Sequence, residues 1–290
     1  MKKLILIIFL GINFITIAQI KGIVKDSISG DIISYATISI EGENLGTTSD
    51  EDGTFMINDA DKNKNLIISV LGYKTKKIKA VNAKIVFLNK QIIALNEITI
   101  VNKKETKQIE IGQTDNSIYQ AFENGPRIEA KYFPYNASYK KTKFIKKVSV
   151  FTDNKIDLAT IKIHFYEVDA NGLPGRELID KNLIVNVKKG QAKTYTDVSD
   201  NNISFPKTGL FVAVERLIIE KNKIEKTVIN PIDKTTKTQT TFAPLTICTY
   251  VSRPFMYTYS GGSWTKKSKA TDSKSEIMVY EPVINLVLTN

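Results

Sequence analysis

Residues 21–73 read KGIVKDSISGDIISYATISIEGENLGTTSDEDGTFMINDADKNKNLIISVLGY. Apolar and polar positions alternate, break at Gly, Asp and Asn about every 8–12 residues, and resume; this rhythm predicts short antiparallel strands packed as a sandwich. Strands are expected over Ile20–Lys25, Tyr35–Ile40, Gly46–Ser49, Thr54–Asn58, Asn65–Leu71, Lys84–Leu88 and Glu97–Val101. Gly53, inside SDEDGTF, and Gly72, after the apolar run LIISVL, are the expected structural turns, because glycine alone takes a positive φ without steric cost. In YKTKKIKA the lysines alternate outward, as an edge or a solvent face requires. Helix signals are absent from this stretch.

Three segments, GIVKDSISGDIISYATISIEGENLGTTSDEDGTFMI, LIISVLGYKTKKI and LNEITIV, resemble the carboxypeptidase-regulatory-like domain, a transthyretin-like sandwich of seven strands, over about residues 20–101. The features that carry the resemblance fall in one order: an opening Gly-x-Val, a Tyr-Ala-x-Ile strand, Gly-Thr-Thr-Ser-Asp leading to Asp-Gly-x-Phe, an apolar run into Gly-Tyr, and a closing strand. The resemblance implies a non-catalytic domain of an exported, Bacteroidetes-type protein. The residues agree, since no reactive constellation accompanies Gly53, Gly72, Phe55 or Tyr35. Asp50, Glu51 and Asp52 imitate part of a calcium loop, but the downstream bidentate glutamate is missing and an Asp-rich turn is the better reading.

Ahead of this domain, Lys2 and Lys3 precede an unbroken apolar run, Leu4–Leu10, and Thr16 and Ala18 offer small residues before Gln19. Residues 1–18 therefore read as a cleaved export signal. A retained anchor is the rival, yet it needs roughly 20 apolar residues, and Gly11, Asn13 and Thr16 interrupt this one. No second long apolar run follows, so no transmembrane segment is expected in the mature chain. The chain is expected in the periplasm, at the outer-membrane surface or outside the cell.

The 290 residues carry 41 basic and 30 acidic side chains. Apart from Lys2 and Lys3 at the N-terminus, residues 19–101 hold ten of each sign and are neutral, so the remaining excess, 29 basic against 20 acidic, belongs to residues 102–290. The lysines are scattered along strands and loops without interleaved aromatics, which argues against nucleic acid and for a solvated, edge-protecting surface. Cys248 is the sole cysteine and excludes an internal disulfide; in LTICTYV it reads as a small packed residue.

Residues 102–116, beginning NKKETKQ, are charged and without alternation, and read as a linker between a domain at 19–101 and a second at 117–290. Ser117–Glu123 could form two helical turns. From Lys143 the strand grammar returns at greater length. ATIKIHFYEV sets Ile161, Ile163 and Phe165 on one face and Lys162, His164 and Tyr166 on the other; GLFVAVERLII, LTICTYV, FMYTY and EIMVYEPVINLVL follow. The expectation is a larger jelly-roll-like β-sandwich, giving an all-β protein of two sandwiches.

His164 is the only histidine, and no nucleophile elbow accompanies it, so a solvent-facing strand histidine is expected and no metal site or cofactor. Asp157, Glu167, Asp169 and Glu215 are acids with no pattern to pair them; Glu215, within VAVERL, is the one expected to be buried and to need a partner. Tyr257, Tyr259 and Trp264, with Gly261-Gly262 between, form the ligand-binding hypothesis: aromatic planes on a hairpin that would grip sugar rings. The chain thus reads as a non-catalytic binding or structural protein of the cell envelope, with a glycan or an envelope protein as partner. A carbohydrate-binding module is the alternative, and a glycan hydrolase a further one that a pocket holding two carboxylates would favour.

Overall fold

The computed structural model describes residues 19–58, 61–91, 105–114, 119–122, 128–231, 234–267 and 276–290. The expected signal, the closing strand at Glu97–Val101, and residues 102–104 and 115–116 of the expected linker lie outside the described residues.

The first sandwich is built from β1 (Ile20–Asp26), β2 (Thr37–Ile40), β3 (Gly46–Thr48), β4 (Thr54–Ile57), β5 (Asn65–Ser69), β6 (Lys76–Lys79) and β7 (Ile85–Leu88). A three-stranded sheet, β4-β1-β7, packs on a four-stranded one, β3-β2-β5-β6. Alternation becomes burial here: in β4 Phe55 and Ile57 are inside while Thr54 and Met56 are exposed, and in β5 Leu66 and Ile68 are inside. These four join Val24, Ile38, Ile40, Val86 and Leu88 in one core. Gly22 is fixed by crowding, since a Cβ there would lie 2.0 Å from the Ala83 carbonyl oxygen. Gly53 and Gly72 take φ of +76° and +85°, as their turns demand. β6 stands at the edge of its sheet, as its lysines suggested.

The second sandwich continues with β8 (Gln108–Ile111), β9 (Tyr119–Ala121), β10 (Ile128–Phe133), β11 (Phe144–Asn154), β12 (Ala159–Val168), β13 (Pro174–Glu177), β14 (Leu183–Val187), β15 (Gly190–Asp197), β16 (Leu210–Arg216), β17 (Lys223–Ile229), β18 (Thr236–Phe242), β19 (Leu245–Arg253), β20 (Met256–Ser260), β21 (Ser263–Lys267), β22 (Ile277–Pro282) and β23 (Ile284–Thr289). One sheet runs β10-β16-β12-β13 with β14 also on β12; the other runs β22-β19-β11-β23-β8 with β15 on β11 and β9 on β19. Ile161, Ile163, Phe165, Val212 and Val214 of the first sheet meet Val148, Val150, Ile284, Leu286 and Leu288 of the second in a core separate from that of the N-terminal sandwich.

Two local expectations are corrected. Gln108–Ile111 is a strand rather than linker, because Ile109 and Ile111 pack on the second core while the backbone pairs with β23. Tyr119–Ala121 is likewise extended rather than helical: it pairs with β19, and Tyr119 meets Phe151 edge-on at 5.9 Å.

The sheet that contains β12 and β16 is buried on both faces. Its inner face is the core just described; on its outer face Lys162, His164, Phe211, Ala213 and Glu215 are buried too. The first sandwich and the β20–β21 hairpin cover that face. Thr47 donates its hydroxyl to the carbonyl of Ile218, whose N–H donates to the hydroxyl of Thr48. The Glu220 N–H donates to the Asp50 carboxylate, and the Gly261 N–H to the carbonyl of Glu43. Continuous runs such as LFVAVE are what a middle layer requires. No helix among the described residues is long and apolar enough to cross a membrane.

Candidate functional site: an aromatic cleft with a cationic floor

β10 ends the smaller sheet of the second sandwich and β22 ends the larger. Between these edges, with β20–β21 alongside, lies a cleft of about 690 Å³, inside the range of small-molecule sites, roughly 300–1,000 Å³. Tyr132, Phe133, Tyr139, Phe255, Tyr257 and Tyr280 supply its aromatic walls, and Ile111, Met256 and Val279 add aliphatic surface. Gly112 allows the close approach at one end: its φ is +89°, and a Cβ would lie 2.6 Å from the Phe133 ring.

Strand parity sends Lys131 inward beside Phe133, leaving it 4% exposed. Its ammonium donates to the Gly112 carbonyl and stands 3.4 Å from Glu281. Glu281 is held in turn by the Arg253 fork, Nε to Oε2 at 2.8 Å and Nη2 to Oε1 at 2.7 Å. Two cations therefore share one carboxylate. Burial draws the Lys131 pKa below its ordinary value, against the attraction of Glu281. At the mouth Lys266 lies over the Phe255 ring, 3.8 Å from its centre.

The three aromatics expected to form a sugar platform are divided. Tyr257 lines the cleft and packs edge-on against Phe211 at 4.7 Å. Tyr259 and Trp264 face each other across the hairpin at 5.2 Å and 65°, and Trp264 meets Tyr166 at 6.1 Å and 72°. Neither lines the cleft, and their edge-to-face geometry offers no shared plane.

His164 is not on a solvent face. It lies buried between Glu177, 2.5 Å from Nδ1, and Glu215, 3.0 Å from Nε2, with the Tyr166 ring stacked on it at 9°. Lys162 also contacts Glu215, at 2.9 Å, and reaches the Tyr35 carbonyl in the first sandwich. Strand alternation sets the sheet's outer face away from the core and cannot by itself show a second domain lying on it. Burial opposes the imidazolium, but the two carboxylates outweigh it and hold the His164 pKa above its ordinary value. Two cations and two carboxylates then balance. Glu215 is fully buried and partnered, as VAVERL suggested. None of His164, Glu177 and Glu215 lines the cleft.

Of the other acids, Asp169 accepts from the N–H groups of Asn171 and Leu173 in its own turn, and Glu167 pairs with Arg176. Asp52 closes its turn by accepting from Thr54, and Glu51 accepts from the Tyr35 hydroxyl. Cys248 is buried, and burial, with Glu129 beside it, pushes its thiol pKa well up. Burial raises the carboxyl of Glu129 itself to about 7, against hydrogen bonds from Thr246 and Cys248.

The sequence reading missed Lys131, Arg253 and Glu281. One signal was available: IEAKYF and IMVYEP each place a charge on the same parity as a core residue, Lys131 with Phe133 and Glu281 with Val279, and the charges are opposite.

These features define an all-β protein whose first sandwich is docked on a second, and whose cleft lies in the second. Residues 20–116 match the CarboxypepD_reg-like domain family, and the chain carries that domain. The match extends through β8, whose backbone pairs within the second sandwich. No curated protein matches the chain.

Proposed function

We propose that this chain is an exported, non-catalytic binding protein of the cell envelope, in which the CarboxypepD_reg-like sandwich is a rigid mount and the second sandwich holds a small ligand. The cleft between β10 and β22 carries this reading. It combines concavity, aromatic walls and a few convergent polar groups, the combination typical of a ligand site. Export rests on Lys2, Lys3 and the apolar run Leu4–Leu10 ahead of the first strand.

The glycan alternative retains Tyr257, which lines the cleft, and draws no support from Tyr259 or Trp264, which pack toward Tyr166. The acids around His164 raise the hydrolase reading, but they are spent on joining the two sandwiches and lie apart from the cleft.

Nile red, a neutral apolar dye, tests the cleft without regard to charge. One equivalent should bind with enhanced fluorescence, and Ala130→Trp, which fills the cleft from its β10 wall, should abolish the enhancement. Absence of binding, or equal binding by the filled variant, would remove the proposed site.

A further inference from the structure

We infer that the ligand of this cleft is a hydrocarbon carboxylate, an apolar body ending in one carboxylate, recognised by Lys131 on the floor and Lys266 at the mouth. The inference rests on the binding reading above and adds the chemical class.

The walls choose the body. Ile111, Phe133, Met256 and Val279 present hydrocarbon where a sugar would need hydrogen-bonding partners around its ring. An alkyl or aryl chain meets these four side chains without burying a polar atom of its own, whereas each sugar hydroxyl buried there without a partner would oppose binding.

The floor chooses the head. Glu281 answers one positive charge, and its two oxygens are occupied by the Arg253 fork, so Lys131 shares an acceptor already engaged. Lys131 directs one N–H at the Gly112 carbonyl and one toward Glu281. An ammonium has three, and the third is left for a guest. Lys266 adds a second cation on the same cleft, placed over Phe255 rather than against a carboxylate. Among the described residues that line the cleft, Lys131, Arg253 and Lys266 against Glu281 leave two surplus positive charges, with Lys131 itself buried, so an anion is favoured over a neutral or cationic head. A single carboxylate bridging toward Lys131 supplies the missing acceptor. Burial draws the Lys131 pKa down in the free protein, and an entering anion would reverse that shift.

Isothermal titration calorimetry with decanoate and 1-decanol, which share a chain length and differ in the head, tests the assignment. Decanoate should bind at one equivalent and decanol roughly ten- to a hundredfold more weakly, the worth of a hydrogen bond to a charged group. Lys131→Met, matched in volume, should bring decanoate down to the level of decanol while leaving Nile red bound. Lys266→Gln, at an exposed position, should weaken decanoate and spare decanol. Equal affinity for acid and alcohol, or Nile red bound with neither of them, would overturn the carboxylate class and leave the cleft standing. Loss of Nile red binding would instead sink the underlying binding reading.

Discussion

Thr37 of the first sandwich donates its hydroxyl at 2.7 Å to the carboxylate of Glu215, a residue of the second sandwich with no exposed surface. The same carboxylate meets Lys162 and His164, so one buried acid ties β2, β12 and β16 together. Removing one partner of such a cluster strands the others without water. Glu215→Ala should therefore destabilise the protein by roughly 3–5 kcal/mol, whereas Lys162→Met with Glu215→Leu should recover most of the loss. Urea denaturation of the three chains checks both statements; a single variant no worse than the double one would contradict them.

The His164 imidazolium sets a pH dependence whose sign is fixed. Its folded pKa lies above its ordinary value of 6.5. Its contribution to stability is thus complete below that value and is lost as pH rises through the folded pKa. His164→Gln should lower stability more at about pH 6 than at about pH 9. Unfolding free energies measured across that interval are the test, and a difference that grew with pH would refute it.

Glu129 runs in the same direction for a different reason. Burial raises its carboxyl from 4.5 to about 7, so the folded state favours the proton and loses stability as pH climbs between those values. Glutamine mimics the protonated acid. Glu129→Gln should be near neutral at about pH 4 and stabilising by roughly 1–3 kcal/mol at about pH 8. Thermal melts at the two pH values will show whether the gain is confined to the upper one.

The hairpin tip that touches the first sandwich depends on a missing side chain. A Cβ at Gly261 would stand 2.4 Å from the backbone nitrogen of Gly42, and φ there is +59°. Gly30 has a comparable φ of +76° with open space around it. Alanine at either position meets the left-handed penalty, roughly 1–2 kcal/mol, but only Gly261→Ala must also part the hairpin from the Gly42 turn. Hydrogen exchange should accelerate at the Gly261 N–H contact with Glu43 in a Gly262→Ala background as well, since a Cβ there would press on Ile67 at 2.7 Å. Gly30→Ala should leave that region unchanged.

How far the sequence could be read depended on what each strand faced. In β4 and β5 one face meets a core and the other water, so Phe55, Ile57, Leu66 and Ile68 could be assigned from alternation alone. In β12 and β16 the pattern located the core face correctly but gave no information about the other. Lys162 and His164 are polar and look solvated in sequence, and the first sandwich and the β20–β21 hairpin lying over that face make them buried. Glu215 was legible because it ends the apolar run LFVAV, a pattern that fits a strand covered on both faces. The cleft was not legible at all. It is made by β8, β10, β20 and β22, distant in sequence, and periodicity within a strand carries nothing about which edges meet. FMYTY is conspicuous for its aromatics, yet Tyr257 and Tyr259 share one parity, and only their places along the hairpin, Tyr257 opposite Lys266 and Tyr259 opposite Trp264, separate the residue that lines the cleft from the one that does not.

That split gives the sharpest separation between mounting and binding. Trp264 packs on Tyr259 and Tyr166, and Tyr166 stacks on His164 within the cluster that joins the sandwiches. Trp264→Ala should therefore reduce stability, by roughly 1–3 kcal/mol for a partly buried aromatic, and leave Nile red binding by the folded protein intact. Tyr257 lies on the cleft wall, with only part of its ring against Phe211. Tyr257→Ala should weaken the dye several-fold at a smaller loss of stability, because it removes a contact with the guest more than a contact between domains. Measuring both quantities on both variants distinguishes the arrangements. If Trp264→Ala were the variant that lost the dye, the ligand would sit at the Tyr259–Trp264 end of the hairpin, and the cleft between β10 and β22 would have to be abandoned as the site.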